Sequence, residues 1–156
     1  MKLNIIAVGH KMPDWISEGY NEFAKRMPRD FALTLTELKP DKRISARTPQ
    51  QVMAEEAERI LAAIPNDARV LAMDERGANW TTMKLAENMK QWQVDARETV
   101  FIIGGTDGLD PKIKQRADQL LQLSAMTLPH GMVRVMLAEQ LYRAVSILNN
   151  HPYHRE

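Results

Sequence analysis

The residues best equipped for chemistry fall in a few short stretches. Gly104-Gly105-Thr106-Asp107-Gly108 follows an apolar run. Glycines allow positive φ and let backbone N–H groups approach a ligand closely. The spacing is neither a Walker A loop nor a dinucleotide fingerprint, and it holds no lysine to reach terminal phosphates. A ligand without phosphates suits it better than a nucleoside triphosphate, and a plain strand-to-helix turn is the commoner use of such glycines. Asp74, followed by Glu75, Arg76 and Gly77, could bind a ribose, act as a base, or form a turn paired with Arg76. Trp80 nearby fits a core cap better than a base stack. Leu123-Ser124-Ala125-Met126-Thr127-Leu128-Pro129-His130 runs small and apolar groups into a proline that fixes the backbone. Exposed N–H and C=O groups of such a loop can read an adenine edge. His130 can titrate near neutrality, but a lone histidine beside a helix start is more often a cap or hydrogen-bond partner.

The tail His151-Pro152-Tyr153-His154-Arg155-Glu156 is dense in stacking and hydrogen-bonding groups, unlike an ordinary frayed end. Its two histidines lack the carboxylate or cysteine support of a metal site, so no metal is expected. Basic residues cluster as Lys25, Arg26 and Arg29, and as Lys39, Lys42, Arg43 and Arg47. Either group could contact phosphates or be plain solvated surface.

These residues need elements to hold them. Leu3–Val8 reads as a buried strand. A helix is expected over Asp14–Met27, then a strand around Phe31, Leu33 and Leu35 with one more polar face. Lys39–Thr48 reads as a loop. Thr48 can cap a helix with Pro49 at its first position, running to about Ile64. Arg69–Asp74 is a strand, Thr81 to about Val94 a helix, and Thr99–Ile103 a strongly apolar strand. Asp110 and Pro111 open a helix to about Leu120, Leu123–Leu128 is strand-like, and Met132–Asn149 is the longest helix. That helix carries more apolar surface than one face needs, which suggests burial on two sides, either centrally or against a sister subunit. Within it Glu139 and Arg143 have the i,i+4 spacing of an ion pair. The alternation favours a single-domain α/β fold, with a mostly parallel sheet and helices on both faces. Ligands in open α/β sheets sit beyond the carboxyl ends of strands, so the segments after Asp74, Ile103 and Leu128 are the places for a site.

Composition narrows the classes. The chain has no cysteine, which excludes disulfides, thiolate metal sites and cysteine nucleophiles. No apolar run is long enough to span a bilayer, and the apolar start is too short for a signal peptide. A cytoplasmic location is expected. The net charge of +1 does not announce a nucleic-acid partner, so any such contact must be local.

Taken in order, the motifs resemble one family. They are Ala7-Val8-Gly9 with Lys11-Met12-Pro13-Asp14-Trp15, Ile103-Gly104-Gly105 with Gly108-Leu109, Leu123-Ser124 with Thr127-Leu128-Pro129-His130, Arg134, Glu139 with Tyr142-Arg143-Ala144, and the tail from His151 to Glu156. Across essentially the whole chain this resembles the RlmH family of the SPOUT superfamily, which methylates N3 of a pseudouridine in 23S rRNA of the large ribosomal subunit. The resemblance implies a C-terminal trefoil knot, an obligate homodimer and S-adenosylmethionine as methyl donor. It places the donor against Met73, Gly105 and the stretch Ser124, Ala125, Met126, Thr127, Leu128 and Pro129. Met73 stands where the family often has leucine, and Asp74-Glu75-Arg76-Gly77-Ala78 replaces a more apolar loop.

The reaction so implied is an in-line displacement at the methyl carbon by a ring nitrogen, with no metal and no covalent enzyme intermediate. Positioning supplies most of the acceleration. The weakly acidic N3–H still needs a base or relay, and the forming ring anion a donor neighbour. Tyr153, His154 and Arg134 are the candidates, with the tail reaching the partner's donor pocket, while Arg143 and the basic loops hold RNA phosphates. The target base must be flipped out or presented in a loop, on ribosome-borne 23S rRNA. Two other classes remain open: a flavodoxin-like domain that binds a small ligand through Gly104–Gly108, and a noncatalytic ribosome-binding factor.

Overall fold

The computed structural model describes residues 1–40 and 47–154. Lys42 and Arg43 of the second basic cluster, and Arg155 and Glu156 of the tail, lie outside the described residues. The elements run β1 (Lys2–Val8), α1 (Asp14–Ala24), β2 (Ala32–Leu38), α2 (Pro49–Ala63), β3 (Arg69–Asn79), α3 (Thr82–Asp95), β4 (Thr99–Ile103), α4 (Pro111–Arg116), β5 (Gln119–Gln122) and α5 (His130–Leu148). Short 3-10 turns at Arg29–Phe31 and Pro152–His154 complete them. The five strands form one sheet in the order β2-β1-β4-β3-β5, and every pairing is parallel.

Period-two alternation divides the sheet's side chains between two cores. Leu3, Ile5, Leu71, Phe101 and Ile103 meet α1, α3 and α5 through Tyr20, Met89 and Leu141. Ile6, Val8, Val70, Val100 and Ile102 meet α2 and α4 through Ile60 and Ile113. All of β4 is buried. Strands covered on both faces are continuously apolar, as in parallel sheets generally.

Helix starts follow the expected caps. Thr48 and Gln51 form a reciprocal capping box before Pro49. Thr81 Oγ1 accepts from Lys84 N, and the Asp110 carboxylate accepts from Lys112 N ahead of Pro111. Helix ends differ more. The first helix stops at Ala24 rather than Met27, and α4 at Arg116 rather than Leu120.

Two strand expectations are corrected. Gln119–Gln122 is the edge strand β5, whereas Leu123–Leu128, expected to be strand-like, is a loop. Ser124 Oγ accepts from Met126 N at 3.0 Å, a local turn that competes with a ladder. β3 also continues past Asp74 to Asn79. Met73 and Ala78 both pair with Leu121, so 74–77 bulges out of the strand. A Cβ on Gly77 would lie 2.5 Å from Leu121 N, so the two backbones leave room for hydrogen only.

Candidate active site

Three chain segments converge at the carboxyl ends of β3, β4 and β5. The bulge after Met73, the glycine loop after Ile103 and the loop after Gln122 line one cavity of about 890 Å³. That is ample for a small-molecule ligand. Met73, Ile103 and Leu121 give it an apolar back, while Asp74, Asp107 and Lys114 bring charge. All the residues expected at a donor site except Pro129 line it: Met73, Gly105, Ser124, Ala125, Met126, Thr127 and Leu128. Pro129 is the next residue and precedes α5 as its N-cap.

The glycine loop is tight for physical reasons. Gly108 N–H donates to Gly105 C=O at 3.1 Å, and Gly108 sits at φ +88°. A Cβ on Gly104 would fall 2.8 Å from the Gly108 carbonyl oxygen. A side chain at Gly104 would not fit this turn, and Gly104, Gly105 and Gly108 line the cavity with backbone alone.

Asp74 is a turn residue, as one expectation had it, but its ionic partner is different. Its carboxylate accepts from Arg76 N at 2.8 Å and pairs with Lys114 Nζ at 2.9 Å, with only 8% of its side chain exposed. Burial alone would raise its pKa, yet the Lys114 ammonium and Arg76 N–H outweigh it and hold the group below its ordinary value. Lys114 was not foreseen, because nothing in sequence marks one lysine of a six-residue helix as facing a strand bulge. Met53 of α2 also reaches the cavity and had no signal. Trp80 packs against Trp92 and the core, as expected.

His130 lines the same cavity. Its Nε2 lies 2.8 Å from the Val8 carbonyl oxygen, so it is the hydrogen-bond partner that its place at a helix start suggested. One turn on, Arg134 stands behind it. The Arg134 side chain is only 1% exposed and donates to Glu37 Oε2 at 2.6 Å and to Gly9 C=O at 3.0 Å. It is outside the cavity lining in one chain.

The described tail residues, His151 to His154, do not line the cavity. Tyr153 packs on Tyr142 with ring centroids 4.7 Å apart, and its hydroxyl donates to Glu139 Oε1 at 3.1 Å. Burial first, then the Glu139 charge, raises the Tyr153 pKa. His154 Nδ1 is buried and has no hydrogen-bond partner among the described residues. Arg143, expected on RNA, bonds Glu139 at 2.8 Å and lies over the Tyr153 ring, so the i,i+4 pair is present. In the first basic cluster Lys25 and Arg26 both pair with Glu22. Among the described residues no cluster of histidine and carboxylate groups could hold a metal, and no helix is long and apolar enough to cross a membrane.

Comparison with known proteins gives this arrangement a context. A family model described as "Predicted SPOUT methyltransferase" matches residues 1–154. A protein of Chromobacterium violaceum named Ribosomal RNA large subunit methyltransferase H is 62% identical over 156 residues, covering 100% of both chains. Proteins of the same name from Burkholderia thailandensis and Paraburkholderia phymatum are 61% and 59% identical over 155 residues, covering 99% of each chain. On these full-length matches the chain belongs to the SPOUT methyltransferase family.

Proposed function

We propose that the chain transfers a methyl group from S-adenosylmethionine to N3 of a pseudouridine in 23S rRNA, acting on the assembled ribosome as a cytoplasmic homodimer. The observation that carries this reading is the cavity where the three loops meet. Relatives named as large-subunit rRNA methyltransferases over their whole length support the substrate class. The single-domain organisation and the trefoil knot implied by the family are part of the same proposal.

The residues present fit such a donor. The apolar back formed by Met73, Ile103 and Leu121 suits a flat base, and Gly104, Gly105 and Gly108 line the cavity with backbone alone. Backbone groups of Ser124 to Pro129 supply the edge contacts, and the charges at Asp74 and Lys114 suit a zwitterionic end. Bound there, the donor supplies an electrophilic methyl group on a sulfonium.

Tyr153 and His154 stay on their own α5 side, outside the cavity of their own chain. Any work they do on the substrate is therefore work on a second copy's cavity, which supports a composite dimeric site. Trp15 on α1 is 59% exposed and Met136 on α5 36%, apolar surface that a second copy can cover. Arg134 orders the floor beside that site through Glu37 and Gly9.

The test is transfer of labelled methyl from S-adenosylmethionine to ribosomes lacking the modification, beside naked rRNA and ribosomes lacking pseudouridine. Label in one large-subunit pseudouridine is expected, and a chain truncated after Asn150 should bind donor but transfer nothing. Absence of label from all three substrates, with folded dimeric protein, overturns the reading.

A further inference from the structure

We propose that His130 is the proton acceptor of methyl transfer, its imidazole locked in one tautomer by the backbone of β1. The inference rests on the methyltransferase reading above. A carbonyl oxygen can only accept, so the 2.8 Å contact to Val8 C=O puts the proton on Nε2. Nδ1 is then the lone-pair nitrogen, and it makes no hydrogen bond among the described residues. The ring is half-buried and lines the donor cavity at the start of α5. A base must be within reach of the proton it removes, with its free lone pair on the site side.

Its surroundings keep it ready. Arg134 lies on the same helix, with Glu37 of β2 paired to it. Tyr20 of α1 is buried beside that arginine, and across the cavity stand Asp107 and the Asp74–Lys114 pair. Burial, then the Arg134 charge, lowers the His130 pKa, which favours the neutral imidazole. The competitors are less suited. Arg134 cannot accept a proton. Burial pushes the Tyr20 hydroxyl up to about 12. The Asp74 carboxylate already accepts from Lys114 and Arg76.

The step balances. As the N3–carbon bond forms, the carbon–sulfur bond breaks and its electron pair stays on sulfur as a neutral thioether. The N3 proton passes to His130 Nδ1, giving an imidazolium that loses the proton to water.

His130→Gln separates this role from simple anchoring, because the glutamine amide can still donate to Val8 C=O but cannot take a proton. The full chain would be assayed on unmodified ribosomes in single turnover from about pH 5 to 9, beside wild type and His154→Gln. Donor affinity would be measured calorimetrically, and imidazole nitrogen shifts read by NMR on the protein alone. We expect H130Q to lose about 100-fold or more in rate, with donor affinity within about threefold, and to lose the acidic limb of the profile. In wild type that limb lies below the ordinary imidazole range and coincides with the NMR titration of an Nε2–H tautomer. H130Q within a few fold of wild type overturns the proposal. So does an acidic limb that disappears in H154Q instead, or an Nδ1–H tautomer, which holds even if the variants fold poorly. A wild-type chain that binds no donor overturns the underlying reading, whereas the outcomes above overturn His130 alone.

Discussion

Replacing Arg134 with methionine tests whether this residue holds the site together or acts in it. The guanidinium is among the largest fully buried side chains and makes two hydrogen bonds, one to the Glu37 carboxylate and one to Gly9 C=O. A bond to a charged group is worth about 1.5–3 kcal/mol net, and a buried acceptor left unpaired costs about 1–3 kcal/mol. Glu37 keeps 39% of its side chain exposed and can rehydrate, which pulls the sum toward its lower end. Methionine also refills most of the volume with apolar atoms. The expected loss is about 3 kcal/mol, or about 6–12 °C in melting temperature for a chain of this size. Urea unfolding at neutral pH with an unchanged m-value reads it directly. In the same cycle, Glu37→Gln alone should cost less than the arginine change, and the two together less than their sum. Unchanged stability with a large fall in methyl transfer refutes the reasoning and puts Arg134 at the reacting atoms.

Other outcomes follow from single contacts. Gly77→Ala sets a methyl against the Leu121 backbone at 2.5 Å, so β3 and β5 must separate; a loss of about 1–3 kcal/mol and weakened donor binding are expected by urea unfolding and calorimetry. Tyr20 places a hydroxyl in the core with no hydrogen-bond partner among the described residues, so Tyr20→Phe should leave stability unchanged or raise it by up to about 1 kcal/mol in the same unfolding assay. The Asp74 pKa lies below 3.8 in the folded chain, so its stabilisation is complete above that value and is lost as pH falls through the lower folded pKa. The stability gap between wild type and Asp74→Asn should therefore be full at neutral pH and close under strongly acidic conditions, as followed by thermal melts against pH.

The parts of the fold that were legible are those where one residue's local chemistry decides. Thr48-Pro49, Thr81 and Asp110-Pro111 start helices because each side chain meets a free N–H within its own first turn. β4 announced itself by the unbroken apolar run from Val100 to Ile103, since a strand covered on both faces has no polar side to show. The failures share a cause. Gln119–Gln122 is an edge strand with polar ends, and helix periodicity swallowed it. The loop at 123–129 is as apolar as a strand, so composition could not separate them. The bulge at 74–77 depends on a partner strand more than forty positions away. At the site, the loops that build the cavity were readable from glycine and proline chemistry. The Asp74–Lys114 pair and the burial of Arg134 were not, because their partners come together only through the sheet.

The strand order has a consequence for how the chain comes into being. β1 is made first but lies between β2 and β4, and Leu3 pairs with Thr99. A nascent chain can dock β2 early, yet the other edge of β1 stays unpaired until roughly a hundred residues have been synthesised. β3 cannot join the early pair, because β4 must slot between them. Until that insertion, an open parallel edge of Leu3, Ile5 and Ile6 is available to other chains, an association hazard of exposed strands. Translation arrested before Thr99 should therefore leave a chaperone-dependent, aggregation-prone fragment, whereas release of the complete chain lets the last helix close over the sheet.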